Sequence, residues 1–511
     1  MSQPTLAAHP PAAGNTTVSS PAERDSFFEL TALALITLLC ATLRAFHLAA
    51  ASLWTDEVFS RYYAQLFGWH YLFTTGLSTE ATPPTYSLLL QGWMHIWGGS
   101  EAAMRSFSAL ASVLCVPVIY LLGRELAGKR QGLLASLLFA VSPVSLYFAQ
   151  EARVYALFML ATSLALWSTA RFLRDGHSVN PLALYGLFAT VSVYLHGTGV
   201  LFVGACAIAI GLYFLTQAAR GIMPLVKWAA CNLVIVLLGV PYFLHEAQAS
   251  HGGGLDWIPP TTIRSLVYCV SMLISGILTP YPWPAFALAA LVIAALTLSL
   301  FLSRLNKRAA VILIGIPCLF VALVFALSLH RPILLPRILS WIVVPLCLLA
   351  ACQILTAGRA RLAVLLTIIA AFATGLFVQL RNPASNKEPW RAALQSYGPQ
   401  LQQADLVVLS PLFDPMVLSY YAPQVQHARI WDAGLRPTIM TGAAERLQIV
   451  PITEAEIEKA IAEKHSVWIL SNAFDLARID QLRNHFPSTD FHLWSCGKVS
   501  CVGIAGWQPV H

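Results

Sequence analysis

Long apolar runs separated by short polar loops fill the chain from residue 27 to residue 380, and eleven to thirteen of them have spanning or near-spanning length. A helix needs about 20 predominantly apolar residues to cross a hydrocarbon core of about 30 Å. The pattern predicts a polytopic α-helical membrane protein, with crossings that start near residues 27, 105, 132, 154, 181, 198, 225, 284, 309, 338 and 362. Two further apolar stretches are expected not to cross. Residues 83–97 are too short, and residues 262–279 sit between proline-rich ends. Both read as helices lying in the membrane interface, where Tyr86, Trp93 and Trp97 are at home. About eleven spans remain, within a range of 11–13.

Beyond residue 380 the period changes. Residues 388–403 read as helix, 406–409 as strand, 453–464 as a helix opened by a Thr453-x-x-Glu456 capping box, and 467–470 as strand; a helix and a hairpin follow. This predicts a small α/β domain over residues 381–511. Residues 1–26, rich in Pro, Ala, Ser and Thr, read as a disordered cytoplasmic tail, and residues 49–104 as the first extracytoplasmic loop with its interfacial helices.

Composition agrees with this division. Of 511 residues 57% are hydrophobic and 11% charged, where a soluble domain carries roughly 25% charged residues. The net charge of +7 collects in loops and reads as a topology signal, which argues against a nucleic-acid partner. Five loops are conspicuously basic: Arg124, Lys129 and Arg130; Arg171 and Arg174; Arg220 and Lys227; Arg304, Lys307 and Arg308; Arg359 and Arg361. Placed in the cytoplasm they satisfy the positive-inside rule. The opposite loops, with Asp56, Glu57, Glu80, Glu101, Glu151, Glu246 and Asp256, then face outward. An odd number of crossings puts the C-terminal domain outside as well. Eight of the ten cysteines lie in apolar segments and read as small hydrophobes; Cys496 and Cys501 bracket the hairpin and are expected to form a disulfide in an oxidising compartment.

Ionisable residues at membrane depth are expensive and mark function. Asp56 and Glu57 follow the first span directly, and Glu80 precedes the Pro83-Pro84 helix start in the same loop, so three carboxylates can converge on one outer pocket. Paired carboxylates suit a reaction in which one takes a proton from an attacking hydroxyl while another positions it or holds a metal. The simpler alternative is that Asp56 caps a helix over residues 57–67, with Glu57 in its first turn. Arg44, Arg153, Arg331, Arg337 and His196 lie at outer span ends, and Glu151 and Tyr155 flank Arg153. Cations at that depth suit a lipid phosphate whose tail stays in the bilayer. There is no HExxH or Cys/His cluster, and no cofactor is expected to be required; a divalent metal on the carboxylates, with His70 or His196 nearby, is the alternative.

These residues resemble a known family. Ser52-Leu53-Trp54-Thr55-Asp56-Glu57-Val58-Phe59-Ser60, Pro83-Pro84-Thr85-Tyr86-Ser87-Leu88-Leu89-Leu90 and Gly98-Gly99-Ser100-Glu101-x-x-x-Arg105 occur in the order and spacing of its motifs. Val116-Pro117 through Gly123-Arg124 and Gln150-Glu151-Ala152-Arg153-Val154-Tyr155 continue the series, which thins to Pro336-Arg337 and Glu388-Pro389-Trp390-Arg391. The family is the GT-C glycosyltransferases of the protein mannosyltransferase type, which includes aminoarabinose transferases of lipid A and galacturonosyltransferase-like bacterial proteins. Thr82 stands where a basic or His residue usually precedes the proline pair, and Ile338 where an aromatic follows Pro-Arg.

The resemblance implies a GT-C fold in a bacterial inner membrane. It implies transfer of a sugar from a polyprenyl-phosphate donor to a lipid, glycan or protein acceptor at the outer face, with inversion. It makes Asp56 the general base, Glu57 and Glu80 orienting groups for acceptor or metal, and Arg153, Arg337 and Arg44 ligands of the leaving phosphate, with Arg105, Glu151, Tyr155 and His196 in support. Two other readings carry less: a multi-pass lipid or solute transporter, which would be expected to show inverted repeats, and a non-catalytic scaffold that binds polyprenyl lipids.

Overall fold

The computed structural model describes residues 21–66, 83–175, 178–217, 221–249, 258–276, 283–302, 305–356, 358–381, 387–411, 415–425, 428–432, 447–472, 476–496 and 499–508. The first helix, α1 (Pro21–Ala45), begins inside the stretch assigned to the tail. It is followed by the short amphipathic α2 (Thr55–Leu66) and by α3 (Thr85–Trp97). Next come α4 (Glu101–Leu126), α5 (Lys129–Val141), α6 (Pro143–Ala149), α7 (Tyr155–Asp175), α8 (Val179–Leu195) and α9 (Gly199–Leu215). The bundle is completed by α10 (Met223–Ala249), α11 (Ile263–Ser275), α12 (Trp283–Leu302), α13 (Lys307–Ser328), α14 (Pro336–Thr356) and α15 (Arg361–Arg381).

Among the described residues eight helices are long and apolar enough to cross a membrane, and α5 with α6 makes a ninth if the bent pair is one span. The two 17-residue apolar helices α8 and α9 sit at the lower limit for crossing. All eleven segments expected to cross are helical, and eight or nine of them are long and apolar enough to do so among the described residues. At 13 residues each, α3 and α11 rise only about 20 Å, which agrees with their being read as non-crossing.

The 60° bend between α5 and α6 has a local cause. Pro143 cannot continue α5 because it lacks an N–H, and Ser142 turns the chain and caps α6 by accepting from the Ser145 N–H. The carbonyls orphaned at the end of α5 are met by Arg44, fully buried, which donates to Phe139 O and Ala140 O and to the hydroxyls of Ser112 and Ser145. Between α4 and α5 the contact is backbone on backbone. A Cβ on Gly123 would lie 2.6 Å from the Gly132 Cα, and one on Gly132 would lie 2.6 Å from the Tyr120 carbonyl oxygen. Deeper in the bundle, Trp341 packs edge-on between Phe202 and Phe320 at 5.0 and 5.2 Å.

After the last span, α16 (Trp390–Ser396) and α17 (Gly398–Gln403) replace the single helix expected over 388–403. The break follows from Pro399, which fits the first turn of a new helix and not the interior of an old one. A six-stranded sheet follows: β1 (Leu406–Leu409), β2 (Ala428–Asp432), β3 (Val450–Thr453), β4 (Val467–Asn472), β5 (Asp490–Cys496) and β6 (Val499–Trp507). Its order is β3-β2-β1-β4-β6-β5. The first four strands run parallel, and β6 and β5 add as an antiparallel hairpin. Two helices pack on it, α19 (Glu454–Ala462), whose Thr453/Glu456 capping box forms as predicted, and α20 (Leu476–His485), while α18 (Pro415–Tyr421) packs against α2 and α16. The backbone of the hairpin is described, but the side chains of Cys496 and Cys501, expected to pair, lie outside the described residues.

The two faces of the sheet have different neighbours. Val407, Leu409, Trp468 and Leu470 belong to the same continuous apolar core as the membrane helices. Val408, Val467, Ile469 and Ala505 face a separate cluster with Ile457, Ile479 and Leu482 of α19 and α20. The period-2 alternation of β1 and β4 thus fuses the sheet to the bundle on one side and covers it with helices on the other.

Candidate active site at the domain end of the bundle

The adjacent acids Asp56 and Glu57 sit in the first turn of α2, about 100° apart around the helix, and they meet different surroundings. Glu57 is fully buried. Arg105, from the first turns of α4, reaches it with Nε and one terminal nitrogen at 2.8 and 2.6 Å. The same guanidinium donates to the carbonyls of Leu48, Ala51 and Ser52, so it ties the loop before α2 to α4. Glu57 also accepts from the Ala152 N–H at 2.8 Å and the Trp54 N–H at 3.3 Å. Burial alone would raise the Glu57 pKa, but Arg105 and Lys387 outweigh it and hold the carboxyl at about 2. Its lone pairs are therefore engaged by protein donors. The resemblance implied a group that orients acceptor or metal; in the structure Glu57 is a buried pin, and Arg105 is its partner.

Asp56 faces the other way. Its side chain is 25% exposed where that of Glu57 is 0%, so of the pair it is the one that can meet a substrate. One carboxylate oxygen accepts from Arg337 at 2.6 Å, and Arg153 stands 4.0 Å away while donating to the Asp56 carbonyl and the Ser60 hydroxyl at 3.1 Å each. Arg337 enters on the turn that Pro336 opens at the start of α14. Arg153 is placed by the loop between α6 and α7, where its carbonyl accepts from the Ser108 hydroxyl.

His196, between α8 and α9, lies beside the rings of Tyr155 and Phe158 at 6.0 and 5.3 Å. Its Nδ1 accepts from the Thr198 N–H, so in that geometry Nε2 carries the proton. Burial first, then the charges of Arg153 and Arg337, push its pKa down to about 3. It is a neutral imidazole at physiological pH.

Two further residues come from the segment after the last span. Lys387 is buried between Glu151 at 3.2 Å and Glu57 at 3.4 Å, beneath the rings of Trp54 and Tyr147. Burial raises the Glu151 pKa, against the pull of Lys387. One oxygen of Glu388 accepts from the Thr55 N–H and hydroxyl at 3.1 and 2.9 Å and from the Trp390 indole at 2.6 Å. Arg391 pairs with Glu101 and donates to the carbonyls of Ala49 and Ala51, and the Tyr421 hydroxyl bridges Glu101 and the Leu53 N–H.

The structure thus brings Asp56, Arg153, Arg337, Tyr155 and His196 into one neighbourhood, with Glu57, Arg105 and Glu151 directly behind. Arg44 is placed apart from them in function: its guanidinium caps α5, so the phosphate role implied for it is not the one its contacts serve. Glu80 lies outside the described residues. Lys387 and Glu388 were missed as site residues. Their signal was the Glu388-Pro389-Trp390-Arg391 run, which is isolated in sequence but joined in space to residues 52–57. Among the described residues no three His, Cys, Asp or Glu side chains form a metal-ligand set.

A many-span helical bundle thus carries a carboxylate and two guanidinium groups at the end that bears an α/β domain, and proteins of known structure share this fold. Residues 81–245 match the family model described as dolichyl-phosphate-mannose-protein mannosyltransferase. ArnT from Cupriavidus metallidurans, solved bound to undecaprenyl phosphate, is similar at 12% identity with a TM-score of 0.57, over 95% of this chain and 100% of that one. An oligosaccharyltransferase from Archaeoglobus fulgidus, solved in complex with Zn and sulfate, is similar at 14% identity with a TM-score of 0.51, over 92% of this chain and 72% of that one. No curated protein matches the chain by sequence.

Proposed function

We propose that the protein transfers a sugar from a polyprenyl-phosphate donor to an acceptor at the outer face of a bacterial inner membrane. The observation that carries this reading is the partly exposed Asp56 carboxylate set against Arg337 and Arg153. Asp56 takes the proton of an acceptor hydroxyl as its oxygen attacks the anomeric carbon. The bond from that carbon to the phosphate oxygen breaks, and polyprenyl phosphate leaves with the electron pair. Attack opposite the leaving group inverts the anomeric centre. Arg153 and Arg337 stabilise the phosphate as charge develops on it, and a guanidinium with five donors can serve a carboxylate and a phosphate together.

The charge supplied by two arginines removes the need for an obligatory metal in this scheme. The undecaprenyl phosphate on the similar ArnT supports a donor of that class. Topology supports the outer face: Arg124, Lys129, Arg130, Arg171, Arg174, Lys227, Lys307, Arg308 and Arg361 lie at helix ends opposite the Asp56 end. The acceptor is a lipid, glycan or protein reaching the site from that side. Asp56→Asn keeps the shape and removes the base, so transfer by the purified variant should fall about 10²–10⁴-fold with folding intact. Normal transfer by a folded Asp56→Asn protein would refute the assignment.

A further inference from the structure

Glu388 presents two unlike oxygens. Oε2 accepts three hydrogen bonds, from the Thr55 N–H, the Thr55 hydroxyl and the Trp390 indole. Oε1 takes no partner among the described residues. The residue comes from the segment that follows the last span, yet it closes on the first turn of the helix that bears Asp56, one residue from Asp56 itself. A carboxylate has about four lone-pair sites; Glu388 is half-buried and its Oε1 is not sealed off from solvent, so that oxygen stays open to a donor from outside the chain. Burial raises the Glu388 pKa, the three donors oppose the shift, and the nearby charge of Asp56 adds to it, which sets the two carboxylates close enough to feel each other.

We propose that Glu388 is an acceptor-binding residue: Oε2 fixes the Asp56 helix, and Oε1 receives a hydrogen bond from the hydroxyl-bearing acceptor beside Asp56. This rests on the sugar-transfer reading above. The acceptor group is a hydrogen-bond donor, an alcohol, held between two carboxylates. Asp56 takes its proton, and Glu388 holds the acceptor in line without itself gaining or losing a proton over the cycle. The C-terminal segment thereby completes the acceptor side of the site, while Arg153 and Arg337 serve the donor side.

Glutamine separates the two oxygens. In Glu388→Gln the amide oxygen can take the place of Oε2, where three donors demand an acceptor, which leaves an N–H in the place of Oε1. The test uses the full-length purified protein, a panel of radiolabelled undecaprenyl-phosphate hexoses and pentoses as donors, and total bacterial membrane lipid as the acceptor probe. Transfer to lipid and hydrolysis of the donor by water are both measured. Expected for Glu388→Gln is a loss of about tenfold or more in kcat/KM for the lipid acceptor, the size of one charge-assisted hydrogen bond. Donor hydrolysis and melting temperature should stay near wild type, and Glu388→Ala should lose both reactions. Wild-type kcat/KM in Glu388→Gln, or parallel loss of hydrolysis and transfer, would overturn the proposal and leave Glu388 as a structural clamp. A wild-type protein that neither transfers nor hydrolyses any donor of the panel would overturn the sugar-transfer reading itself, and this inference with it.

Discussion

Asp56 and Glu57 show how far one peptide bond can separate two fates. The helix turns about 100° between them, so one carboxylate looks toward the guanidinium pair and partial solvent while the other is sealed by Arg105 and Ala152. Removing one member of such a buried pair leaves an uncompensated charge, typically worth about 3–5 kcal/mol, so Glu57 acts on the site through the loop it pins. His196 gives the residue-scale prediction. Its folded pKa of about 3 lies below the ordinary value near 6.5, so between those pH values the unfolded chain binds the extra proton. Its share of stability is complete above pH about 6.5 and is lost as pH falls toward about 3. Melting temperature should therefore drop on acidification across that window, and His196→Gln should flatten the slope; an unchanged slope would contradict the buried neutral imidazole. That Asp56, Arg153 and Arg337 come together was legible in the sequence because each sits in a short motif at an outer span end. The opposite role of Glu57 was not, because it depends on Arg105 and on Lys387, 330 positions away.

At the scale of elements, hydrophobic periodicity located eleven apolar helical segments because each carries its own signal, eight or nine of them of spanning length among the described residues. It did not reveal β2, β3 and α18. These are four to seven residues long, too short to show a period, and β3 is an exposed edge strand that tolerates Pro451. The splitting of residues 388–403 was readable from Pro399, whose missing N–H ends one helix and suits the start of the next. The α4–α5 contact is the element on which the site most depends, because α4 carries Arg105 and the chain from α5 through the bend carries Arg153. Gly132→Val would place side-chain atoms against the Tyr120 carbonyl, which already lies within 2.6 Å of a notional Cβ. Overpacking of that kind costs about 1–3 kcal/mol. The variant should melt several degrees lower and lose transfer activity in proportion; a wild-type melting curve would show that the two helices can separate without penalty.

For the molecule as a whole, the sheet domain and the membrane bundle share one apolar core, and Lys387, Glu388, Arg391 and Tyr421 all close on residues 49–57 or on Glu57, Glu101 and Glu151. The C-terminal region is built into the active end. If this end handles a polyprenyl-phosphate sugar, as proposed, a stalled enzyme should retain it. The most direct measurement is mass spectrometry of lipids that co-purify with the Asp56→Asn protein, beside wild type and an Arg153→Ala/Arg337→Ala double variant. A glycosylated polyprenyl phosphate should be enriched on Asp56→Asn and lost from the double variant. No polyprenyl lipid on any folded, gently extracted sample would contradict the proposal.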